Sequence, residues 1–328
     1  MAHLIAPAPA PALQAAHQPA VDRAHNHRRT RLSVYLELGK ARLVSLVVLT
    51  TAVGYLIALQ PVDGALTVQW SLLFFCLIGT ALSACGANAL NQIIERSRDA
   101  RMQRTALRPL PANLLTLHEA WTAALAMAIL GPILLLLTVP WPAAALAAAT
   151  TLLYVLVYTP MKTRTSLNTL VGAVCGAIPP LIGYVAANDG QIGFPGLLLA
   201  AILFIWQIPH FLALAWMYRD DYARGGYVML PAVDPDGRLT GRMAAVSAAF
   251  LIPLSLLYAL PGKGGHVLLI VPAIAIGTAF TLAAIRFARS PDLLSARRLF
   301  FASLVHLPLL LGLMVLCSPA ILGQSYLP

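Results

Sequence analysis

The sequence predicts an all-α polytopic membrane protein. Three observations predict it: of 328 residues, 59% are hydrophobic and only 10% charged, the mean hydropathy is +0.78, and nine apolar segments recur at bilayer-spanning length. Soluble domains are nearer half apolar and a quarter charged. A membrane span needs about 20 residues.

Residues 1–34 are rich in Ala, Pro and His and read as a disordered cytoplasmic tail. No apolar core there is long enough for a secretory signal. His3, His17, His25 and His27 read as solvated tail residues. The spans are expected over Arg42–Leu59, Trp70–Ile94, Leu117–Thr138, Trp141–Tyr158, Asn168–Ala187, Phe194–Met217, Met243–Leu260, His266–Arg286 and Arg298–Cys317. Residues 35–318 form one transmembrane domain and 319–328 a short external tail. The third and fourth spans make a tight hairpin at Pro140. Gly131, Gly172, Gly176 and Gly183 permit close helix approach. Pro179 and Pro180 are expected to bend the fifth span and open a cavity, and Asn168 to cap its start.

Charge sets the orientation. With nine spans, 21 of the 22 Lys and Arg residues fall on one side and only Lys263 on the other. The positive-inside rule makes the loaded side cytoplasmic, so the N-terminus is cytoplasmic and the C-terminus external. The formal charge of +10 comes without a basic stripe interleaved with aromatics, so no nucleic acid is implied. The partner is the lipid bilayer. Cys76, Cys85, Cys175 and Cys317 stand singly in apolar runs and read as buried thiols.

The chemistry gathers on the cytoplasmic side. Asn91, Glu95 and Asp99 are four residues apart, which places them on one helix face, and Arg104 and Arg108 follow at the same spacing. The next cytoplasmic loop holds Lys162 and Arg164, and the one after it Tyr218, Asp220, Asp221 and Tyr222. Acids with arginines at the end of a membrane helix fit a divalent cation and a phosphorylated ligand. Simple pairing of Glu95 and Asp99 with Arg98 or Arg101 is the plainer alternative. Arg96, Arg98, Arg101, Arg286, Arg289, Arg297 and Arg298 read as interfacial anchors. His210, after Trp206 and Gln207 inside the sixth span, invites a functional role or a packing one; His306 is a weaker second candidate.

Three motifs carry a family resemblance. N-x3-E-x3-D-x2-M-x-R-T-x2-R-P-L at Asn91–Leu110 resembles the first signature of the UbiA-type intramembrane prenyltransferases, in the version of the protohaem IX farnesyltransferase (haem O synthase) branch. Tyr158–Tyr184, with Y-T-P-M-K-T-R-T, is similar to the second signature. Trp206–Pro231, with W-Q-I-P-H-F and Y-R-D-D-Y, is similar to a third. K-A-R at Lys40–Arg42 also fits, although K-P-R is more frequent in the family. Glu95 stands where Asp is usual, and Ser97 where a further acid is common, which leaves the number of carboxylate ligands open.

The resemblance implies a UbiA-type bundle around a central cavity open to the cytoplasmic side, in a bacterial inner membrane. It implies that farnesyl diphosphate alkylates a vinyl group of haem B, with water adding, to give haem O. Mg2+ is the implied cofactor, held by Asn91, Glu95, Asp99 and Asp221, with Asp220 a further candidate. Arg104, Arg108, Lys162 and Arg164 are the implied diphosphate ligands, and His210, Tyr158 and Tyr218 the haem contacts. A haem A synthase or a terminal oxidase assembly factor is the implied docking partner. Two rivals stay open from the residues alone: another aromatic or tetrapyrrole acceptor, and a membrane transporter. A transporter would spread polar groups through the full depth of a pathway; here they crowd at one face.

Overall fold

The computed structural model describes residues 29–61, 67–260 and 266–322. Most of the expected tail, the histidines at 3, 17, 25 and 27, the loop lysine at 263 and residues 323–328 lie outside the described residues. All regular structure among the described residues is helical. A short helix, α1 (Arg31–Leu38), leads into the spans α2 (Ala41–Ala58), α3 (Trp70–Asp99), α4 (Leu117–Thr138) and α5 (Trp141–Leu152). A π-helical turn, Leu153–Tyr158, and one further α-turn continue α5 to Met161. Next come α6 (Asn168–Ala187), α7 (Phe194–Met217), the short α8 (Arg219–Arg224) and α9 (Leu230–Val233), then α10 (Arg238–Ala259), α11 (Ile270–Arg289), α12 (Leu293–Leu316) and α13 (Pro319–Leu322). Nine of these helices, counting α5 through Met161, are long and apolar enough to cross a membrane.

Hydropathy trims a helix where its charged turns begin, and four boundaries differ from the sequence reading for that reason. The second span runs on from Ile94 to Asp99 because its two carboxylates are buried and paired. The seventh begins at Arg238, directly after Gly237 in the left-handed conformation at φ 67°. The eighth continues from Arg286 to Arg289. The ninth begins at Leu293, where Asp292 and Ser295 form a reciprocal capping box.

Backbone-to-backbone packing brings the spans together. Gly183 of α6 meets Thr51 of α2, and Gly54 of α2 meets Pro180 of α6; Gly86 and Gly131 do the same between α3 and α4. A Cβ at Gly54 would collide with the Pro180 carbonyl. At Pro180, α2 packs directly against α6, which runs through both prolines as one continuous helix. Asn168 does not cap it: Leu167 takes the cap position, and Asn168 Nδ2 donates instead to the carbonyls of Thr165 and Val228.

The apolar interior falls into two main parts. Buried Leu199, Ile202, Tyr258, Phe280, Phe287 and Leu310 join α7, α10, α11 and α12. Buried Tyr55, Leu135, Ala143, Ile182 and Val185 join α2, α4, α5 and α6. Large side chains cover the outside as well: Leu137 is 77% exposed and Val271 76%, the surface a bilayer solvates. Exposed Trp70 and Trp141 begin α3 and α5, as an interfacial aromatic belt requires.

Candidate active site

The last three turns of α3 carry the polar array. Asn91 and Asp99 are 0% exposed and Glu95 5%. Each oxygen-bearing side chain meets one base from a different segment. Lys40 Nζ donates to Asn91 Oδ1 at 2.9 Å, Lys162 Nζ to Glu95 Oε1 at 2.9 Å, and Arg108 Nη1 to Asp99 Oδ2 at 2.7 Å. The pairs with Arg98 or Arg101 that a surface ion-pair reading expects do not form. Asp99 Oδ1 is buried with no partner. A buried carboxylate oxygen left unbonded is costly unless a cation or donor completes it.

The π-helical turn shapes one wall. It loosens the ladder after Tyr154, and Thr159 Oγ1 donates back to the Tyr154 carbonyl at 2.8 Å while accepting from Asn91 Nδ2 at 3.0 Å. The turn presents Tyr158 beneath Lys162, whose ammonium lies 4.6 Å from the ring centroid. Burial works against the Lys162 charge, but Tyr158 and Glu95 outweigh it and hold its pKa well above the usual lysine value. Lys40 goes the other way: burial first, then the charges of Arg108 and Lys162, push it down to about 7.

The second acidic cluster joins the first through the backbone. Asp221 in α8 accepts from the amides of Gln103 at 2.8 Å and Arg104 at 3.2 Å, and from Arg224 Nη2 at 2.7 Å. Burial alone would raise its pKa; the bonds from Arg224, Gln103 and Arg104 reverse that and hold it below the usual carboxylate range. Asp220 is solvated, 3.7 Å from Arg219. Arg104 lies over Tyr218 and Tyr222, with centroids at 4.8 and 5.2 Å, and donates to the Tyr222 hydroxyl at 3.0 Å. Gln103, Arg104, Met217, Tyr218, Asp220, Asp221 and Arg224 line an open cavity of about 580 Å³. A third tie closes the site: the Val228 amide donates to the Lys162 carbonyl at 2.7 Å. Gly226, at φ 71°, turns the chain so that Tyr227 is buried, 5.9 Å from Lys162.

The structure thus brings Asn91, Glu95, Asp99, Arg108 and Lys162 into one cluster and places Arg104 and Asp221 beside it. Arg164 is not brought in; it is exposed and makes no side-chain hydrogen bond or ion pair among the described residues. Tyr158 and Tyr218, read as haem contacts, lie against Lys162 and Arg104. Lys40, Thr159 and Tyr227 were not singled out by the sequence reading. Only Lys40 carried a signal, the K-A-R before the first span.

His210 sits apart, between α7 and α12, with its ring stacked on Trp206 at 4.9 Å and on Phe300 at 4.8 Å. Its Nδ1 is 2.7 Å from Ser303 Oγ, and Ser303 donates its one proton to the Phe300 carbonyl at 2.5 Å. His306 is buried against Phe280, its Nδ1 without a partner.

Comparison with known proteins decides the family. The model of the UbiA prenyltransferase family matches residues 47–305. The chain belongs to that family. It is 42% identical over 291 residues to the protoheme IX farnesyltransferase of Solibacter usitatus (strain Ellin6076), covering 88% of this chain and 99% of that protein. It is 40% identical over 278 residues to the mitochondrial protoheme IX farnesyltransferase of Arabidopsis thaliana, covering 85% and 63%. The UbiA fold is shared with a digeranylgeranylglyceryl phosphate synthase (TM-score 0.72, 19% identity, 88% of this chain and 98% of that one). It is shared too with a UbiA homolog from Archaeoglobus fulgidus bound to DMAPP and Mg2+ (TM-score 0.63, 14% identity, 85% and 98%). As a UbiA prenyltransferase the chain is a multi-pass membrane transferase, which sets the transporter reading aside.

Proposed function

We propose that this enzyme transfers the farnesyl group of farnesyl diphosphate to a vinyl group of haem B, with addition of water, giving haem O and diphosphate. The observation that carries the reading is the α3 array, three oxygen-bearing side chains each faced by a base, at the same membrane boundary as Asp221. The names of the relatives at 40–42% identity support the choice of acceptor.

The residues fit Mg2+. The cation takes oxygen ligands, prefers one or two carboxylates, and completes its shell with substrate phosphates and water. Among the described residues no group of three or more His, Cys, Asp or Glu gathers that could hold a metal ion by itself. Asn91, Glu95 and Asp99 would hold one ion, Asp99 through its unbonded Oδ1, and Asp221 would help hold a second. Bound there, Mg2+ would supply charge neutralisation for the leaving diphosphate. The homolog solved with DMAPP and Mg2+ supports that pairing.

Arg108, Lys162 and Arg104 then take the remaining phosphate charge, with Asp221 positioning Arg104 through its backbone amide. The farnesyl C1–O bond breaks, its electron pair leaving with diphosphate. The vinyl β-carbon bonds to C1, the positive charge passes to the vinyl α-carbon, and water adds there, its spare proton going to diphosphate. Tyr158, Tyr218 and Tyr227 wall the polar site with ring faces and exclude other water. His210, an imidazole stacked between Trp206 and Phe300, would ligate haem iron through a ring nitrogen. An unchanged Soret band in haem-loaded His210→Ala would remove that role.

The bacterial inner membrane, a cytoplasmic N-terminus and an external C-terminus belong to the same reading. So does hand-over of the bilayer-bound product to a haem A synthase or terminal oxidase assembly factor. The test is pigment extraction from cells expressing the protein. Haem O is expected from the native chain, and at least 100-fold less from Glu95→Gln and Asp99→Asn, which keep side-chain shape. Native-like haem O from either variant refutes the assignment.

A further inference from the structure

Three basic side chains occupy the three oxygen-bearing positions of α3. Lys40 holds Asn91, Lys162 holds Glu95 and Arg108 holds Asp99. The three bases come from three segments: the start of α2, the α5–α6 connection and the α3–α4 connection. Convergence of this kind is not incidental to one helix face. Lys40 in particular is placed at a cost, since its backbone sits in the left-handed region at φ 54°, where a side chain with a Cβ is strained by about 1–3 kcal/mol. Such strain persists only where surrounding structure demands it.

The charges do not cancel. Lys162 and Arg108 balance Glu95 and Asp99, and Lys40, pushed down to about 7 and facing only the neutral Asn91 amide, adds a partial positive charge near neutral pH. A free divalent cation meets ligands already bonded to ammonium and guanidinium groups and a field of its own sign. A diphosphate meets the opposite. It can draw Lys40, Lys162 and Arg108 onto its own oxygens, and that exchange bares Asn91 Oδ1, Glu95 and Asp99 Oδ2 beside the already unbonded Asp99 Oδ1. The bared oxygens and the phosphate oxygens then form one hard-oxygen shell.

We propose that Lys40 is a diphosphate-binding residue, and that Lys40, Lys162 and Arg108 are exchangeable caps which keep the metal ligands closed until a diphosphate takes the caps away. The inference deepens the prenyl-diphosphate reading and rests on it. Its consequence is obligate coupling: metal and diphosphate each raise the affinity for the other, by the same factor, as linkage requires.

The experiment follows Mn2+ binding to the purified full chain in nanodiscs by the loss of the free-ion EPR signal, with and without inorganic pyrophosphate. The native chain is expected to bind Mn2+ at least tenfold more tightly with pyrophosphate than without. Lys40→Gln removes one cap without stranding a charge, because Asn91 is neutral. It is expected to raise Mn2+ affinity severalfold in the absence of pyrophosphate, and to weaken pyrophosphate binding at saturating Mn2+. Arg108→Gln provides the second variant, with the same two directions expected. Equal Mn2+ affinity with and without pyrophosphate in the native chain overturns the capping proposal, as does a Lys40→Gln chain that matches the native one in both measurements. If haem O still forms in those cases, only the caps are refuted. If Mn2+ fails to bind even with pyrophosphate, the metal-assisted reading of the site fails with them.

Discussion

The two acidic clusters sit side by side and use their carboxylates differently. On α3 every acid faces a side-chain base, and the pairs are sealed: the Glu95 side chain is 6% exposed and that of Lys162 14%. On α8 one acid, Asp220, is solvated, while the other, Asp221, bonds to two backbone amides of the α3–α4 connection and one arginine. The first cluster is built to hold charge out of water and exchange it. The second is built to hold a loop, and so to hold Arg104. Sequence proximity misleads in both places: adjacent aspartates part company, and residues 51 and 67 positions apart share one bond network.

Breaking the α3 side should cost most. Lys162→Met leaves Glu95 buried without its cation, and losing one partner of a buried pair costs about 3–5 kcal/mol. A lowered thermal midpoint in detergent is expected. Adding Glu95→Leu should recover much of it, because the isolated charge is then gone; a double variant no more stable than Lys162→Met contradicts the pairing.

Breaking the α8 side should loosen a loop and spare the fold. Asp221→Ala is expected to raise trypsin cleavage at Arg101 and Arg104 severalfold and to cut haem O formation, whereas Asp220→Ala should leave both unchanged. Equal effects from the two aspartates would erase the distinction drawn between them.

Acid sharpens the same contrast. The Asp221 pKa is depressed in the folded chain. Its contribution is therefore present in full above the ordinary carboxylate value, about 3.9, and lost as pH falls through the lower folded value. The hydrogen-exchange protection factors of the Gln103 and Arg104 amides should hold from pH 7 to pH 5 and fall once the pH drops below about 3.9. Protection already lost at pH 5 would show that the latch is weak.

The smallest effect lies away from both clusters. Asp292 caps α12, and the amide of Ser295 leads the causes that hold its pKa low. Asp292→Ala should lower the thermal midpoint slightly and leave haem O output alone, which separates a helix cap from a site acid.

Much of the fold was legible because lipid imposes one simple rule. Every spanning segment must satisfy its own backbone and be apolar, so length and hydropathy count the spans, and spacing by four puts Asn91, Glu95 and Asp99 on one face. The motifs carried the family, and charge bias the grouping of the polar loops on one side. Partner choice was not legible. That Asn91 meets Lys40, that Arg164 stays outside, that Tyr158 lies under Lys162, that Asn168 ties two loops instead of capping a helix, and that His210 meets Ser303 all depend on contacts between distant segments. Such contacts follow from helix packing, where Gly183 meets Thr51 and Gly54 meets Pro180, and from a π-helical turn that shifts the residues after Tyr154. Periodicity fixes which way a side chain leaves its own helix; only the assembled bundle decides what it meets there.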